Sequence, residues 1–186
     1  MGPTRTAHRM LPRLEEINGH TLSFRLMTPE DGKEMLAFSS SLPENDLIYM
    51  RWDITTEDGM HEWICNISLG RTTSVVVEED GEIVGYGSLH HHQLTWTRHH
   101  GELRIMVSPE LRGSGLGRRI VKDLYRIAKD LDLTRLVVQI ASHQPRVRHM
   151  FEEIGFHAEA LLTDWLIDRN DNMTDLIIMS MEIDEP

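Results

Sequence analysis

The sequence predicts an α+β fold with three layers, in which a mixed, mostly antiparallel sheet of about seven strands carries helices on both faces. Three observations support this fold class. The chain has 186 residues, a length that suits one domain. Strand-like runs outnumber the segments with helical spacing. One apolar strand also passes through a glycine-rich turn directly into an amphipathic helix, which is typical of a strand–helix–strand crossover at the centre of a sheet.

Short-range signals predict the first half of the chain. Thr28, followed by acidic residues, is a typical helix cap, and Gly70 is typical of a helix end. Asp80-Gly81 is a strong hairpin signal between two strand-like runs. In chain order, the predicted elements are a strand over Thr21–Met27, a helix that begins near Thr28, a helix from about Thr56 to Leu69, and strands over Thr73–Glu79 and Glu82–His92.

The second half adds the crossover and a final hairpin. An apolar stripe at helical spacing runs through Gly115–Leu131, and Gly155 is placed to end a shorter helix. The predicted elements are a strand over Glu102–Val107, the helix Gly115–Leu131, a strand over Thr134–Ala141, a short helix to about Glu153, and two strands around Asp168–Asn172. We predict a flexible arm over residues 1–18 and a single domain over residues 19–186.

Composition narrows the classes of function. The chain has 30 acidic and 19 basic side chains and a net charge of -11, which argues against general nucleic-acid binding because phosphates require clustered Lys and Arg. The single cysteine, Cys65, excludes an internal disulfide and fits a reducing, cytoplasmic setting. No apolar run approaches the roughly 20 residues of a membrane-spanning helix, so no membrane partner is expected.

The segment Glu102–Leu124 carries the strongest chemical signal. A strand, a turn with Gly113, Gly115 and Gly117, and a helix start follow one another, so free backbone amides should converge on one point. Arginines near that helix start are unfavourable unless an anion compensates them, which suggests a bound phosphate group. The spacing fits neither a Walker P-loop nor a dinucleotide fingerprint. An ordinary tight turn with solvated arginines stays the alternative.

These residues resemble the GNAT superfamily of acyl-CoA N-acyltransferases. Arg112-Gly113-Ser114-Gly115-Leu116-Gly117 matches the signature Gln/Arg-x-x-Gly-x-Gly/Ala, and Val107-Ser108-Pro109-Glu110 is the usual lead-in. The opening that begins at Arg25 and the pair Gly155-Phe156 extend the resemblance over roughly Thr21–Ile183.

The resemblance implies that acetyl-CoA is a co-substrate and that its pyrophosphate rests on the signature turn. It places the pantetheine in a gap between two splayed strands, at Met106–Val107 and Gln139–Ile140. The implied cofactor-binding residues are Met106, Val107, Arg112, Gly113, Ser114, Gly115, Leu116, Gly117, Arg118 and Gln144.

The sequence departs from the family at the usual general acid. Many members have a tyrosine where Phe151 stands, and phenylalanine cannot donate a proton. A CoA thiol should resemble cysteine, with a pKa of about 8.5, so the thiolate can leave without much help.

Three residues are candidates for the catalytic proton transfer: Glu102, His100 and His92. A protonated amine needs a base, and Glu102 shares one face of its strand with Arg104 and Met106. A surface carboxylate paired with Arg104 is the alternative. Histidines 90–92 and 99–100 flank a loop, and alternation predicts that His90 and His92 face one way and His91 the other. A polar loop is their alternative, and no metal is expected because the spacing matches no zinc signature.

The sequence thus predicts a cytoplasmic N-acetyltransferase that moves an acetyl group from acetyl-CoA to a primary amine by direct attack. The acceptor is a small molecule or a protein lysine or N-terminus, and the acidic chain favours a cationic one. A non-catalytic acyl-CoA-binding sensor or interaction module on the same fold is the alternative, favoured by Phe151. The resemblance also suggests a homodimer.

Overall fold

A computed structural model describes residues 10–47, 50, 52–168 and 170–183. The strands are β1 (Arg13–Ile17), β2 (His20–Leu26), β3 (Thr72–Glu79), β4 (Glu82–His90), β5 (His100–Val107), β6 (Arg135–Ala141), β7 (His157–Ile167) and β8 (Met173–Glu182). The helices are α1 (Gly32–Ser41), α2 (Glu44–Leu47), α3 (Glu57–Ser68), α4 (Leu116–Asp130) and α5 (Pro145–Ile154).

The eight strands form one sheet in the order β1-β2-β3-β4-β5-β6-β8-β7. All neighbours are antiparallel except β5 and β6, which α4 connects as a parallel pair. Two apolar clusters fill the space above and below the sheet, one beneath α4 and α5 and the other beneath α1 and α3. The predicted three-layer α+β fold is therefore confirmed, with eight strands rather than about seven.

The additional strand is β1, which lies within the segment predicted as a flexible arm. Asn18 and Gly19 both have positive φ and form the two-residue turn that joins β1 to β2. Arg13 on β1 also donates two hydrogen bonds to the buried carboxylate of Asp123 on α4, at 3.1 and 2.9 Å. Residues 13–17 thus pack on the domain, whereas residues 1–9 lie outside the described part.

Gly87 on β4 sets how closely α4 approaches the sheet. A Cβ built on Gly87 would lie 2.2 Å from Cγ2 of Ile120, whereas one built on Gly85 would meet the same residue at an ordinary distance of 3.7 Å. Gly87 therefore allows α4 to rest directly on the strands, which fixes the turn at its N-terminus.

Candidate active site

The turn before α4 has an open upper surface. Gly113 and Gly115 adopt positive φ angles of 80° and 94°, a conformation that glycine favours. A Cβ built on either residue would meet no atom within 4 Å, so the space over the turn is free for a ligand. Residues with side chains would be strained in this backbone and would fill that space.

Backbone amides point out of the first turn of α4. The Leu116 amide donates to Oγ of Ser114 at 3.2 Å, and the Arg119 amide donates to the carbonyl oxygen of Gly115 at 3.2 Å. The amides of Gly117 and Arg118 lie between them, where a helix offers no carbonyl four residues earlier. An anion of the size of a phosphate group can accept from such amides.

The arginines of this turn are compensated by carboxylates from other elements. Arg112 pairs with Asp46 at 2.5 Å and donates from Nε to the carbonyl oxygen of Val107 at 3.2 Å. Arg118 pairs with Glu153. Arg119 likewise pairs with a carboxylate of β1. These three arginines are therefore not uncompensated as the sequence suggested, and the case for an anion site depends on the glycines and the amides.

The strands β5 and β6 are paired over their first four residues and separate beyond them. They pair from His100 with Arg135 to Leu103 with Val138, and the ladder ends there. Beyond that point β5 stays paired with β4, and β6 stays paired with β8. Only a side-chain hydrogen bond from Arg104 to Gln139, 3.3 Å long, crosses between the two strands among the contacts described. The gap lies where the family resemblance places it, with Met106 and Val107 on one side.

A cleft of about 450 Å³ opens at the other end of β5. Four of its residues form a row across four strands, because Thr72 pairs with His90, His90 with Glu102, and Glu102 with Val137. The full lining consists of Trp52, Asn66, Arg71, Thr72, His90, His91, His92, Thr95, Thr97, His100, Glu102 and Val137. All three catalytic candidates from the sequence, Glu102, His100 and His92, therefore border one cleft.

Glu102 combines the two roles that the sequence left open. Its carboxylate forms an ion pair with Arg104, and its side chain is 25% exposed on the cleft wall. Arg104 is the more buried partner, with 11% of its side chain exposed. The carboxylate is thus both paired and accessible to a ligand.

The histidines lie in different surroundings. Partial burial, together with the charges of His99 and Arg135, lowers the pKa of His100 and so favours its neutral imidazole. Nδ1 of His92 accepts a hydrogen bond from the Leu94 amide at 3.2 Å. Residues 91 and 92 follow the end of β4, so strand alternation no longer applies. His91 lines the cleft together with its neighbours, contrary to the alternating arrangement predicted.

The start of α5 lies close to the glycine turn. Gln144 is its half-buried N-cap, and the sulfur of Met150 would lie 3.2 Å from a Cβ on Gly117. Phe151 is buried and packs edge-on against Phe156, with ring centroids 5.0 Å apart. This position therefore supplies packing and no proton donor.

Several site residues escaped sequence reasoning. Tyr86 lies opposite Met106 in the ladder, is buried, and donates from its hydroxyl to the sulfur of Met50 at 3.2 Å. Burial raises the pKa of Tyr86. Arg71 and Thr72 also line the cleft. The Asp80-Gly81 turn sets the register between β3 and β4, which places Thr72 beside His90, and Arg71 directly precedes Thr72. Among the described residues, no group of three His, Cys, Asp or Glu side chains is placed to hold a metal ion.

Comparisons with known proteins agree with this geometry. The model of the acetyltransferase (GNAT) family matches residues 35–156. An L-amino acid N-acyltransferase of Escherichia coli (strain K12) is 27% identical over 137 residues, which cover 72% of this chain and 79% of the relative. No described helix has the length and apolar character needed to cross a bilayer.

Two solved structures share the fold at low identity. An acetyltransferase from Salmonella typhimurium with its cofactor acetyl-CoA has a TM-score of 0.74 and 21% identity, over 89% of this chain and 95% of that one. A spermidine N-acetyltransferase from Vibrio cholerae, in complex with CoA and spermine, has a TM-score of 0.72 and 20% identity, over 87% and 95%.

Proposed function

The chain belongs to the acetyltransferase (GNAT) family, and on that premise we propose that it transfers an acetyl group from acetyl-CoA to a primary amine in the cleft beside Glu102. One observation supports this best. The open glycine turn, the gap between β5 and β6, and the polar cleft all adjoin the single strand β5. A donor and an acceptor could therefore meet along one strand.

The residues of the turn and the gap fit acetyl-CoA, which supplies a thioester with a good leaving group. The open space over Gly113 and Gly115 and the first-turn amides of α4 suit a pyrophosphate. Because the ladder to β6 ends at Leu103, alternate main-chain groups of β5 near Met106 and Val107 have no partner strand on that side, where they can hold the pantetheine or polarise a carbonyl. The proposed binding set is Met106, Val107, Arg112, Gly113, Ser114, Gly115, Leu116, Gly117, Arg118 and Gln144.

Glu102 is the proposed base. A lysine-like amine has a pKa of about 10.4 and must lose a proton before it attacks. The amine nitrogen then forms the C–N bond as the C–S bond breaks, CoA leaves as the thiolate, and the second proton of the nitrogen passes to that thiolate or to solvent water. Glu102 precedes Met106 by four residues, about 13 Å along a strand. The proton therefore reaches Glu102 through water, with His100 and His92 on the same cleft as the further path.

No covalent enzyme intermediate is needed. Cys65 lies on α3, and its sulfur is 3.4 Å from Nε2 of His61 rather than beside the gap. Direct attack is the simplest route, because both substrates can be held in line. In intramolecular models such an arrangement lowers the activation barrier by up to roughly 7–11 kcal/mol.

The variant Glu102→Gln tests the assignment. It keeps the shape of the side chain and removes the base, so turnover measured by CoA thiol release should fall by about 10²–10⁴-fold. The affinity for acetyl-CoA should stay within about twofold, since the turn lies at the other end of β5. Glu82→Gln, an exposed carboxylate at the start of β4, is the matched control. Wild-type turnover in Glu102→Gln would remove this residue from the mechanism.

A non-catalytic acyl-CoA sensor is the second candidate, because Phe151 offers no proton to a leaving thiolate. Saturable acetyl-CoA binding, with no thiol release in the presence of any amine, would favour the sensor. A homodimer and a cytoplasmic location stay predictions. The edge strand β7 exposes Leu161, Trp165 and Ile167, and light scattering will give the solution mass.

The relatives' names describe two opposite kinds of acceptor. The Escherichia coli relative is named for L-amino acids, which carry a carboxylate beside the amine. The Vibrio cholerae structure is named for spermidine, a polycation. Either acceptor is compatible with acetyl transfer to a primary amine.

A further inference from the structure

The charge of the cleft differs from the charge of the chain. The chain carries a net charge of -11, yet Glu102 is the only carboxylate among the described residues that line the cleft. That carboxylate already has Arg104 as its ion-pair partner. A polycationic acceptor would bring several ammonium groups to a surface with no second carboxylate to receive them, and each would lose hydration without compensation.

Arg71 contributes the opposite charge. Its backbone is fixed at the rim, since its amide donates to the carbonyl oxygen of Asn66 at 2.9 Å and its own carbonyl oxygen accepts from the His91 amide at 3.0 Å. Its side chain is exposed and lines the cleft. Within the described part of the chain, no carboxylate lies within ion-pair distance of its guanidinium. The positive charge of Arg71 is therefore open to a ligand.

The spacing of Arg71 and Glu102 suits a small ligand with two different ends. Arg71 directly precedes Thr72, which is separated from Glu102 by two strand spacings, about 10 Å. The flexible arginine side chain can shorten this span from one side. A cleft of about 450 Å³ is in the usual range for small-molecule sites, which is roughly 300–1,000 Å³.

We propose that the acceptor is an amine that carries a carboxylate, of the size of an amino acid, and that Arg71 binds this carboxylate while the amine faces Glu102. The proposal rests on the proposed acetyltransferase function. A guanidinium fork matches a carboxylate with two parallel hydrogen bonds, which gives orientation as well as affinity. Arg71 is then a specificity-determining residue, and it takes no part in the chemical step.

The experiment compares acceptors that differ only in the carboxylate. CoA thiol release is measured with the standard L-amino acids, with the C-terminal amide of each, and with spermidine. At least one free amino acid should have a kcat/KM about ten to a hundred times that of its amide, the effect of one charge-assisted contact. In Arg71→Gln the KM for that amino acid should rise by the same factor, while the KM for its amide stays unchanged. Arg98→Gln, an exposed arginine of the neighbouring loop outside the cleft lining, should behave as wild type.

Two results would overturn the inference and leave acetyl transfer intact. One is faster turnover with spermidine or with the amides than with any free amino acid. The other is an Arg71→Gln variant that changes the KM of an amino acid and of its amide equally. If no amine in the panel is acetylated, the inference and the proposed enzyme function both fail, and acetyl-CoA binding measured alone then separates a sensor from a misassigned turn.

Discussion

The substitution Gly87→Ala should both destabilise the protein and displace its glycine turn. A Cβ on Gly87 would lie 2.2 Å from Cγ2 of Ile120 and 2.9 Å from Cδ1 of Leu124, whereas an ordinary contact begins at 3.4 Å. The Ile120 side chain or the helix α4 that carries it must therefore shift by about 1.2 Å, the difference between 3.4 and 2.2 Å, and we expect α4 to move because the core around Ile120 is filled. Overpacking of a core costs about 1–3 kcal/mol, and we expect the upper end because both contacts are with branched side chains that the sheet already confines.

The displacement should also reach the site. Ile120 lies about one turn beyond Leu116, the first residue of α4, so the glycine turn moves with the helix. A misplacement of about 1 Å can cost about 10²-fold in rate, so kcat/KM for acetyl-CoA should fall by up to that factor.

Urea unfolding and CoA thiol release measure the two effects. Gly85→Ala is the matched control two residues away on β4, where the nearest atom to the added Cβ is 3.1 Å distant, so both effects should be much smaller. A Gly87→Ala variant with the urea midpoint and kcat/KM of wild type would refute the argument that β4 sets the position of α4.

Three further predictions concern charge. Arg13→Met leaves the buried Asp123 without its bidentate partner and should lower the free energy of unfolding in urea by about 3 kcal/mol. The double variant Arg13→Met with Asp123→Leu should recover most of this stability, and an equal loss in both variants would contradict the prediction. Burial raises the pKa of Asp31, but hydrogen bonds from Arg25 and the Thr28 backbone outweigh it, so the net pKa is lowered. The resulting stability is present at neutral pH and is lost as the pH falls below the ordinary range of a carboxyl, and Asp31→Asn should flatten the stability–pH curve there. Because the pKa of His100 is lowered, any fall of kcat/KM at acidic pH that His100 causes should occur below the ordinary histidine range and should disappear in His100→Gln. If the same fall persists in that variant, another group causes it.

Local signals in the sequence predicted most of the elements. The helix start near Thr56, the apolar stripe of α4 and the Asp80-Gly81 turn are each decided by a few neighbouring residues, and each lies where the sequence places it. The strand β1 was missed although Asn18-Gly19 carries the same kind of hairpin signal. Its five residues have alternating partial burial and no continuous apolar run, so the turn was the only cue.

The candidate site likewise has a part that the local sequence predicts and a part that it does not. The glycine turn is contiguous in sequence and could be predicted, and the parting of β5 and β6 follows from the family resemblance. The partners of Arg112 and Arg118 come from α2 and α5, and no local pattern specifies such contacts. The row of cleft residues from Thr72 to Val137 depends on how β3, β4, β5 and β6 are aligned with one another. This alignment decides which charged side chains line the cleft, so the charge of the cleft does not follow from the net charge of the chain.

Titration of the protein with acetyl-CoA in a calorimeter, for wild type and Gly115→Glu, tests the central assignment most directly. We expect saturable binding to wild type and none to the variant, because the new side chain brings bulk and negative charge into the space over the turn. Gly70→Glu is the matched control, since Gly70 also has a positive φ of 66° and open surroundings but lies near the opposite end of β5. Circular dichroism will verify that both variants are folded. Equal acetyl-CoA affinity in all three proteins, or no binding to wild type at millimolar acetyl-CoA, would contradict the assignment of the turn as the pyrophosphate site.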